Sequence, residues 1–504
     1  MGGTSANNGD SSSHSSDSGH SLDSGAAAEN EACRSGINPA PLETKNCVRQ
    51  AACQWNGVEA DGQFGHTIHI GGDIDGDGQV DWVVGAPNED ILSDDEVLVA
   101  DAGKVHIFRG SNRMEVQPLV ANLVGSSDST LLGYAAEIVP DLNGDGLDDV
   151  VAGGRGSNTN AHTGAGEVHI LFGKTSGWDQ PEQTPDLVWF GAQDLARAGS
   201  NLHGAGDMNG DGLGELTIAT NQRRIDASGY ERPGSGTVAL FLGSEDFADV
   251  SGFGDAHASI SGVGTSDAAG HALGSGDLNG DGYRDLIVGA PYGSTQKGQV
   301  AVFQGGLSLM SGAITLGDAP VLFEGDGYGD AFGWSVAAGD INGDAHAELV
   351  IGAPKADDAT PDSGTVHILQ GAADFFGAPG EVTHRITGEW DDHQLGASVL
   401  AGMDINGDGT GDLLLGAIGA WHGLITKGGR VYSLYGPNDS WPSSQSAEAS
   451  SRQFLGASTK DYLGSALATG DPNGDGKTDI MLASSYAQAN GRADAGAVYL
   501  FWGE

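Results

Sequence analysis

Seven short apolar runs punctuate the chain: DWVVGAP from Asp81, DVVAGG from Asp149, ELTIAT from Glu215, DLIVGAP from Asp285, ELVIGAP from Glu348, DLLLGA from Asp412 and DIMLAS from Asp479. Each is short, rich in branched side chains and bounded by glycine or polar residues, so each reads as a buried strand and not a helix. After a variable insert comes another run: GKVHIFRG, GEVHILFG, GTVALFLG, GQVAVFQG, GTVHILQG, GRVYSLYG and GAVYLFWG. A weaker one closes each unit, as in LVANLVG, DLVWFG, ASISG, PVLFEG, THRITG and RQFLG. Each unit opens on a glycine with an apolar partner: Phe64-Gly65, Leu132-Gly133, Ala198-Gly199, Ala269-Gly270, Phe332-Gly333, Leu395-Gly396 and Leu463-Gly464. Four antiparallel strands per unit, repeated seven times, predict an all-β chain folded as a seven-bladed β-propeller.

The last unit ends at Phe501-Trp502-Gly503-Glu504, directly after its third strand, and so lacks a fourth. AACQWNG, from Ala51 to Gly57, occupies the place that a fourth strand takes before every other unit. This N-terminal strand is therefore expected to complete the seventh blade and leave no open sheet edge. The implied organisation is a ring over 48–504, with 48–57 as the closing strand and blades at about 64–125, 132–191, 198–262, 269–325, 332–388, 395–456 and 463–504. A Cys-containing lead-in covers 31–47. Residues 1–30, rich in Ser, Gly and Asp, bury too little to fold and read as a tether.

Between the first two strands of every unit lies a nine-residue loop with oxygen-bearing side chains at positions 1, 3, 5 and 9. The loops start at Asp73, Asp141, Asp207, Asp277, Asp340, Asp404 and Asp471, spaced 68, 66, 70, 63, 64 and 67 residues apart. A hard cation such as Ca²⁺ takes six to eight oxygens at roughly 2.3–2.6 Å, and alternate residues of a tight loop converge on one point. The side-chain donors expected are Asp73, Asp75, Asp77 and Asp81; Asp141, Asn143, Asp145 and Asp149; Asp207, Asn209, Asp211 and Glu215; Asp277, Asn279, Asp281 and Asp285; Asp340, Asn342, Asp344 and Glu348; Asp404, Asn406, Asp408 and Asp412; and Asp471, Asn473, Asp475 and Asp479. Position 7 offers only its carbonyl, which frees its side chain to vary: Gln79, Leu147, Leu213, Tyr283, His346, Thr410 and Lys477. Up to seven Ca²⁺ are expected. The fifth loop should be the weakest, because Ala345 replaces the glycine at position 6. A strand in place of a helix after each loop excludes an EF-hand.

The Phe-Gly pairs, the calcium loops and the Gly-Ala-Pro triplets at Gly85–Pro87, Gly289–Pro291 and Gly352–Pro354 together resemble the FG-GAP repeats of integrin α-subunit propellers. The resemblance covers about residues 48 to 504. It implies Ca²⁺ in the loops of the lower face, and ligands on the opposite face, built from the second-to-third strand loops and the inter-blade connections. It also implies aromatic rings before the repeat glycines that grip an integrin β-subunit. Leu132, Ala198, Ala269, Leu395 and Leu463 stand there instead, so an integrin-type β partner is not expected. The chain is similar to a free-standing bacterial integrin-α-like protein, acting as a monomer.

Charge narrows the partners further. With 69 acidic and 22 basic residues the chain carries −47, and seven bound Ca²⁺ would leave it at about −33, which disfavours nucleic acid and anionic membranes. No apolar leader follows Met1, and no direct membrane insertion is expected; the polar leader resembles that of a processed lipoprotein on a secreted or surface protein. The cysteines are Cys33, Cys47 and Cys53, all in or beside the closing strand; a disulfide such as Cys33–Cys47 would brace it, and buried free thiols are the alternative. No catalytic motif such as HExxH or GxSxG occurs, and His106, His169 and His367 are expected to face outward from third strands. Individuality lies in the loops: Arg223, Arg224, Tyr230 and Arg232 in the third unit and Trp421 and His422 in the sixth form a candidate ligand patch. In the first insert Asp94, Asp95 and Glu96 read as solvated charge. The expected function is a calcium-binding surface module that adheres to an extracellular protein or glycan. A carbohydrate-active lyase or hydrolase and a structural surface component are the alternatives.

Overall fold

The apolar run that follows each loop becomes the second strand of a blade, and neighbouring blades cover both of its faces. Trp82–Ala86, Asp149–Gly154, Glu215–Thr220, Asp285–Ala290, Glu348–Ala353, Asp412–Ala417 and Asp479–Ser484 are buried at every position. A computed structural model of the protein describes residues 45–47, 51–92, 97–111, 119–178, 180–220, 224–225, 231–232, 234–264, 266–380, 382–436, 442–489 and 491–503. The expected tether, Cys33, and Asp94 to Glu96 lie outside them.

Each blade runs antiparallel in chain order from the axis outward; in blade 2 the order is Leu132–Val139, Asp149–Gly154, Glu167–Leu171 and Leu187–Phe190. The first strands touch one another in an unbroken circle, and Leu467–Gly470 of blade 7 returns to Thr67–Ile70 of blade 1. Cys53–Asn56 pairs antiparallel with Ala497–Phe501, so the N-terminal strand does complete the last blade. Trp55 of that strand meets Trp82 of blade 1 edge-on at 4.9 Å, and Trp82 stacks on Phe108 at 3.7 Å. The closing strand is thus hydrogen-bonded to blade 7 and packed into blade 1.

Neighbouring blades are locked by backbone. The N–H groups of Phe64, Leu132, Ala198, Ala269, Phe332, Leu395 and Leu463 donate at 2.9–3.2 Å to Ala495, Ala102, Ala165, Ser235, Lys297, Ser363 and Gly428, just ahead of the preceding blade's third strand. The glycine that follows then presses on the preceding blade's second strand. A Cβ on Gly85 would lie 2.1 Å from the Gly133 carbonyl oxygen, and on Gly153, Gly289 or Gly352 it would lie 2.1–2.3 Å from the matching oxygens of Gly199, Gly333 or Gly396. Blades 3 and 7 carry Ala219 and Ala483 at this place, and those methyl groups face the glycines that open blades 4 and 1. The residue before each opening pair (Gln63, Leu131, Arg197, Ala268, Ala331, Gln394, Tyr462) is held at φ between 49° and 59°, a left-handed turn without glycine repeated at all seven junctions.

The outer edges are covered from the next blade, which short alternating patterns in the sequence did not foretell. Gly312–Thr315 adds in parallel to the outer strand of blade 3, Ser444–Ser446 to blade 5 and Lys45–Cys47 to blade 6, and Asn122 of blade 1 bridges to Glu182. Where no strand adds, aromatic side chains cover the edge: Trp189 of blade 2 packs against Phe247 and Phe253 and donates to the Val250 carbonyl at 3.2 Å. Edge pairing of this kind hides unpaired backbone groups. Cys53 is buried and disulfide-bonded, which corrects the expected Cys33–Cys47 pairing: with three cysteines, a bond that contains Cys53 leaves one of those two over.

The junction glycines make a direct test. Gly85→Ala forces a methyl group into the Gly133 carbonyl and should cost about 2–3 kcal/mol, whereas Ala219→Gly removes only a methyl group and some chain stiffness and should cost about 1 kcal/mol. Chemical denaturation of both variants checks the order, and equal losses would contradict the locking geometry.

Candidate metal loops and the axial mouth

The seven loops between first and second strands fold alike because their side-chain oxygens collect the loop's own N–H groups. The position-1 carboxylate accepts from the N–H of position 6 at 2.7–2.9 Å in every loop. The position-5 carboxylate accepts from position 7 at 2.9–3.0 Å. The acid at position 9 reaches back to the N–H of position 2 in six loops, for example Asp149 to Leu142 at 2.8 Å. Its second oxygen takes the N–H of the glycine after the third strand, as Asp149 does with Gly173 at 2.9 Å. One carboxylate thereby ties the loop to the far side of its blade.

Those position-9 acids are the most buried charges of the lower face. Burial pushes Asp81, Asp149, Glu215, Asp285 and Glu348 up to about 7 and Asp412 to about 6, against the pull of their backbone donors. Asp479 stands highest, at about 8. Its loop has Pro472 at position 2, which has no N–H to give, and the Asn473 amide substitutes at 3.0 Å. The donor set fits a hard divalent cation: carboxylates kept from water at each loop, with oxygens of Asp73, Asp75 and Asp81 all within 4.8 Å of one another. Arg109 pairs with Asp75, the extra carboxylate that only the first loop has at position 3.

At the other end of the ring, several expectations are corrected. The residues before the repeat glycines, Phe64 to Leu463, are buried in the blades and can grip nothing, so they do not bear on an integrin-type partner. The residues after those glycines line the axial mouth instead, among them His66, Tyr134, Ser200, His271 and Trp334. The sequence held this signal, a varied position immediately after each constant glycine. His106, His169 and His367 do not face outward; all three are buried, because each third strand is covered by neighbouring side chains. His106 meets Glu89 at 2.9 Å and the Phe64 ring, His169 meets Glu167 at 2.8 Å, and His367 packs on Phe332, where burial lowers its pKa to about 4.

Trp421 and His422 do border a pocket on this face, of about 500 Å³, with Trp390, Arg430 and Glu448. Trp421 is 46% exposed, and the buried Arg430 guanidinium sits 4.9 Å from the Trp390 ring and pairs with Glu448. Arg224 and Arg232 are backbone partners in a short two-stranded ladder of the blade 3 loop, while Arg223 and Tyr230 lie outside the described residues. That ladder springs from blade 3, and Trp421 and His422 from blade 6.

Inside the channel, sequence reading missed a network drawn from four first strands. Glu137 lies 3.3 Å from His203 Nδ1 and 3.7 Å from His69 Nε2, His203 Nε2 lies 3.0 Å from Ser275 Oγ, and Arg284 Nε donates to that hydroxyl at 3.1 Å. Burial would raise the Glu137 carboxyl, and the two imidazoles hold it below its ordinary value. Its four strand members, His69, Glu137, His203 and Ser275, are about seventy residues apart, each unremarked within its own repeat.

Fold and loops together define a class: a seven-bladed β-propeller with an oxygen-rich loop at the base of every blade. Residues 64–108, 269–303, 332–369 and 463–501 match the FG-GAP repeat. Integrin alpha-5 of Xenopus laevis is 30% identical over 245 residues, 48% of this chain and 21% of its own length. Phosphatidylinositol-glycan-specific phospholipase D of Bos taurus is 27% identical over 434 residues, 79% of this chain and 49% of its own, and that of Rattus norvegicus is 33% identical over 170 residues, 32% and 19%. The chain is an integrin-alpha-like FG-GAP repeat protein, and it spans less than half the length of these relatives. Among solved structures, rhamnogalacturonan lyase YesW aligns with 76% of this chain and 68% of its own at 12% identity, with a TM-score of 0.34, too loose a superposition to bear on chemistry.

The fifth loop carries its own test. Ala345 is held at φ 69°, where its neighbours have glycine, at a penalty of about 1 kcal/mol. Ala345→Gly should therefore stabilise the metal-free protein by about that amount. Urea denaturation in chelator reads the effect directly, and a loss of stability would contradict the strain.

Proposed function

We propose that the protein is a calcium-stabilised binding module of the cell exterior, which engages an extracellular protein or glycan through the upper face of its ring. The observation that carries this reading is the sevenfold recurrence of one preorganised carboxylate loop. Positions 1, 3, 5 and 9 and the position-7 carbonyl would hold each ion. A bound Ca²⁺ would supply the positive charge that the buried position-9 acids lack, and would stitch the first strand to the second. Loops of this type in extracellular modules bind at roughly 10⁻⁴–10⁻³ M, which suits millimolar external calcium and not the cytosol. A disulfide at Cys53 suits the same compartment. Among the described residues no helix is long and apolar enough to cross a membrane.

Adhesion is supported by the likeness to integrin alpha-5 and by the division of the ring: constant loops below, varied side chains and an exposed Trp421 above. The phospholipase named among the relatives is a protein of which this chain matches less than half, and its activity is not proposed for this chain.

At about tenfold excess over Kd each ion would stabilise the native state by roughly 1.4 kcal/mol, on the order of 10 kcal/mol for seven. Chelation should then lower the melting temperature substantially, with recovery on adding Ca²⁺; an unchanged melt would overturn the metal reading. A glycan and extracellular-protein array probed in millimolar Ca²⁺ and in EDTA tests adhesion. Calcium-dependent binding to a defined set is expected, and a folded ring that binds nothing would overturn it.

A further inference from the structure

The seven first strands enclose, at their upper ends, a cavity of about 660 Å³ whose wall draws on every blade. That volume is in the range of small-ligand sites. Its electrostatics run against the rest of the molecule. In a chain of charge −47, guanidinium groups find carboxylates readily: Arg109 pairs with Asp75, Arg385 with Asp326 at 2.6 Å, and Arg430 with Glu448. Arg155 and Arg197 both line the cavity, and among the described residues neither has a carboxylate within ion-pair distance. The Arg155 guanidinium lies 3.5 Å from the Tyr134 ring centroid, half-buried. Burial, and then the like charge of Arg197, lower its pKa, as expected of a cation that lacks a counter-charge.

The hydroxyls of the wall narrow the ligand further. Ser200, Ser335 and Ser398 donate their protons to the carbonyls of Ala219, Gly396 and Gly464 at 3.3, 2.8 and 2.7 Å. Each keeps lone pairs and has no proton left to offer, so this part of the wall accepts hydrogen bonds from a ligand. Opposite charge to the arginines and hydroxyl donors to the serines are needed in one molecule. Trp334 adds a flat apolar surface, with Tyr292 standing at 88° to it, on which the C–H face of a pyranose can lie.

We propose that the axial cavity is a binding site for a sugar acid, its carboxylate held by Arg155 and Arg197, its hydroxyls donating to the wall serines and its ring face on Trp334. This rests on the proposed binding through the upper face and deepens it, since it places the site in the axial cavity, where the loop residue Arg155 and the inter-blade residue Arg197 reach the wall, and names the ligand class. An acidic peptide answers the arginines as well, but brings few hydroxyl donors to the serines.

The test is a titration of the full chain in calcium with D-glucuronate, D-glucose and hexaglutamate, read by calorimetry and tryptophan fluorescence. Saturable binding of glucuronate is expected, with glucose and hexaglutamate at least about tenfold weaker, the usual worth of a charge-assisted contact. Arg197→Ala, at an exposed turn, should weaken glucuronate about tenfold without moving the melting temperature, and Arg155→Ala should do so at least as strongly. Equal binding of glucose, tighter binding of hexaglutamate, no saturation by glucuronate, or glucuronate affinity unchanged in both variants would each overturn the proposal. If Arg155→Ala fails to fold, Arg197→Ala alone decides.

Discussion

The ring depends on one close approach repeated seven times, between the glycine that opens a blade and the second strand of the blade before it. At that point two backbones meet nearly without side chains between them, and the neighbouring N–H is spent on the preceding blade. At Gly85, Gly153, Gly289 and Gly352 a larger residue has no room, because the atom it would meet is a backbone carbonyl oxygen and not the end of a flexible side chain. The sequence accordingly varies almost everywhere except at this junction and in the loops below it. Even the exceptions obey: where Ala219 and Ala483 replace glycine on one side, the other side keeps it.

The two ends of the ring divide the remaining physics. Below, each buried carboxylate bridges its loop to the exit of the third strand, so the loops are part of the framework and not appendages. Above, the turn that enters each blade is strained but constant, and the residue after it is free to differ. Acidity is therefore structural at one end, while Arg155 and Arg197, which have no acid partner among the described residues, sit at the other. Pro472 shows how closely the lower end is tuned: one missing N–H leaves Asp479 the highest of the seven buried acids.

Most of the fold was legible because the constraints recur with the repeat. The post-loop runs, the unit glycines and the missing fourth strand of the last unit were enough to predict the ring and its closure, and the structure has both. The loop oxygens were legible for the same reason. What stayed hidden depends on contacts between units. His106 and His169 satisfy themselves on Glu89 and Glu167, which a strand-by-strand reading cannot pair. Ser444–Ser446 adds to an outer edge without any apolar alternation to announce it. The axial residues are adjacent only because seven strands converge; along the chain, Arg155 and Trp334 are unrelated.

The outer edges add a direction to the ring. Wherever an added strand covers an edge, it comes from the connection that belongs to the next blade, as slates on a roof are each lapped by the one laid after it. During synthesis, then, blades 3 and 5 stand with a flank bare until the next blade emerges, whereas the strands that cover blade 6 and complete blade 7, Lys45–Cys47 and Cys53–Asn56, are made before any blade. The ring cannot be finished piece by piece. Its closure joins the two ends of the chain, and until the last strand emerges Cys53–Asn56 has no blade to complete.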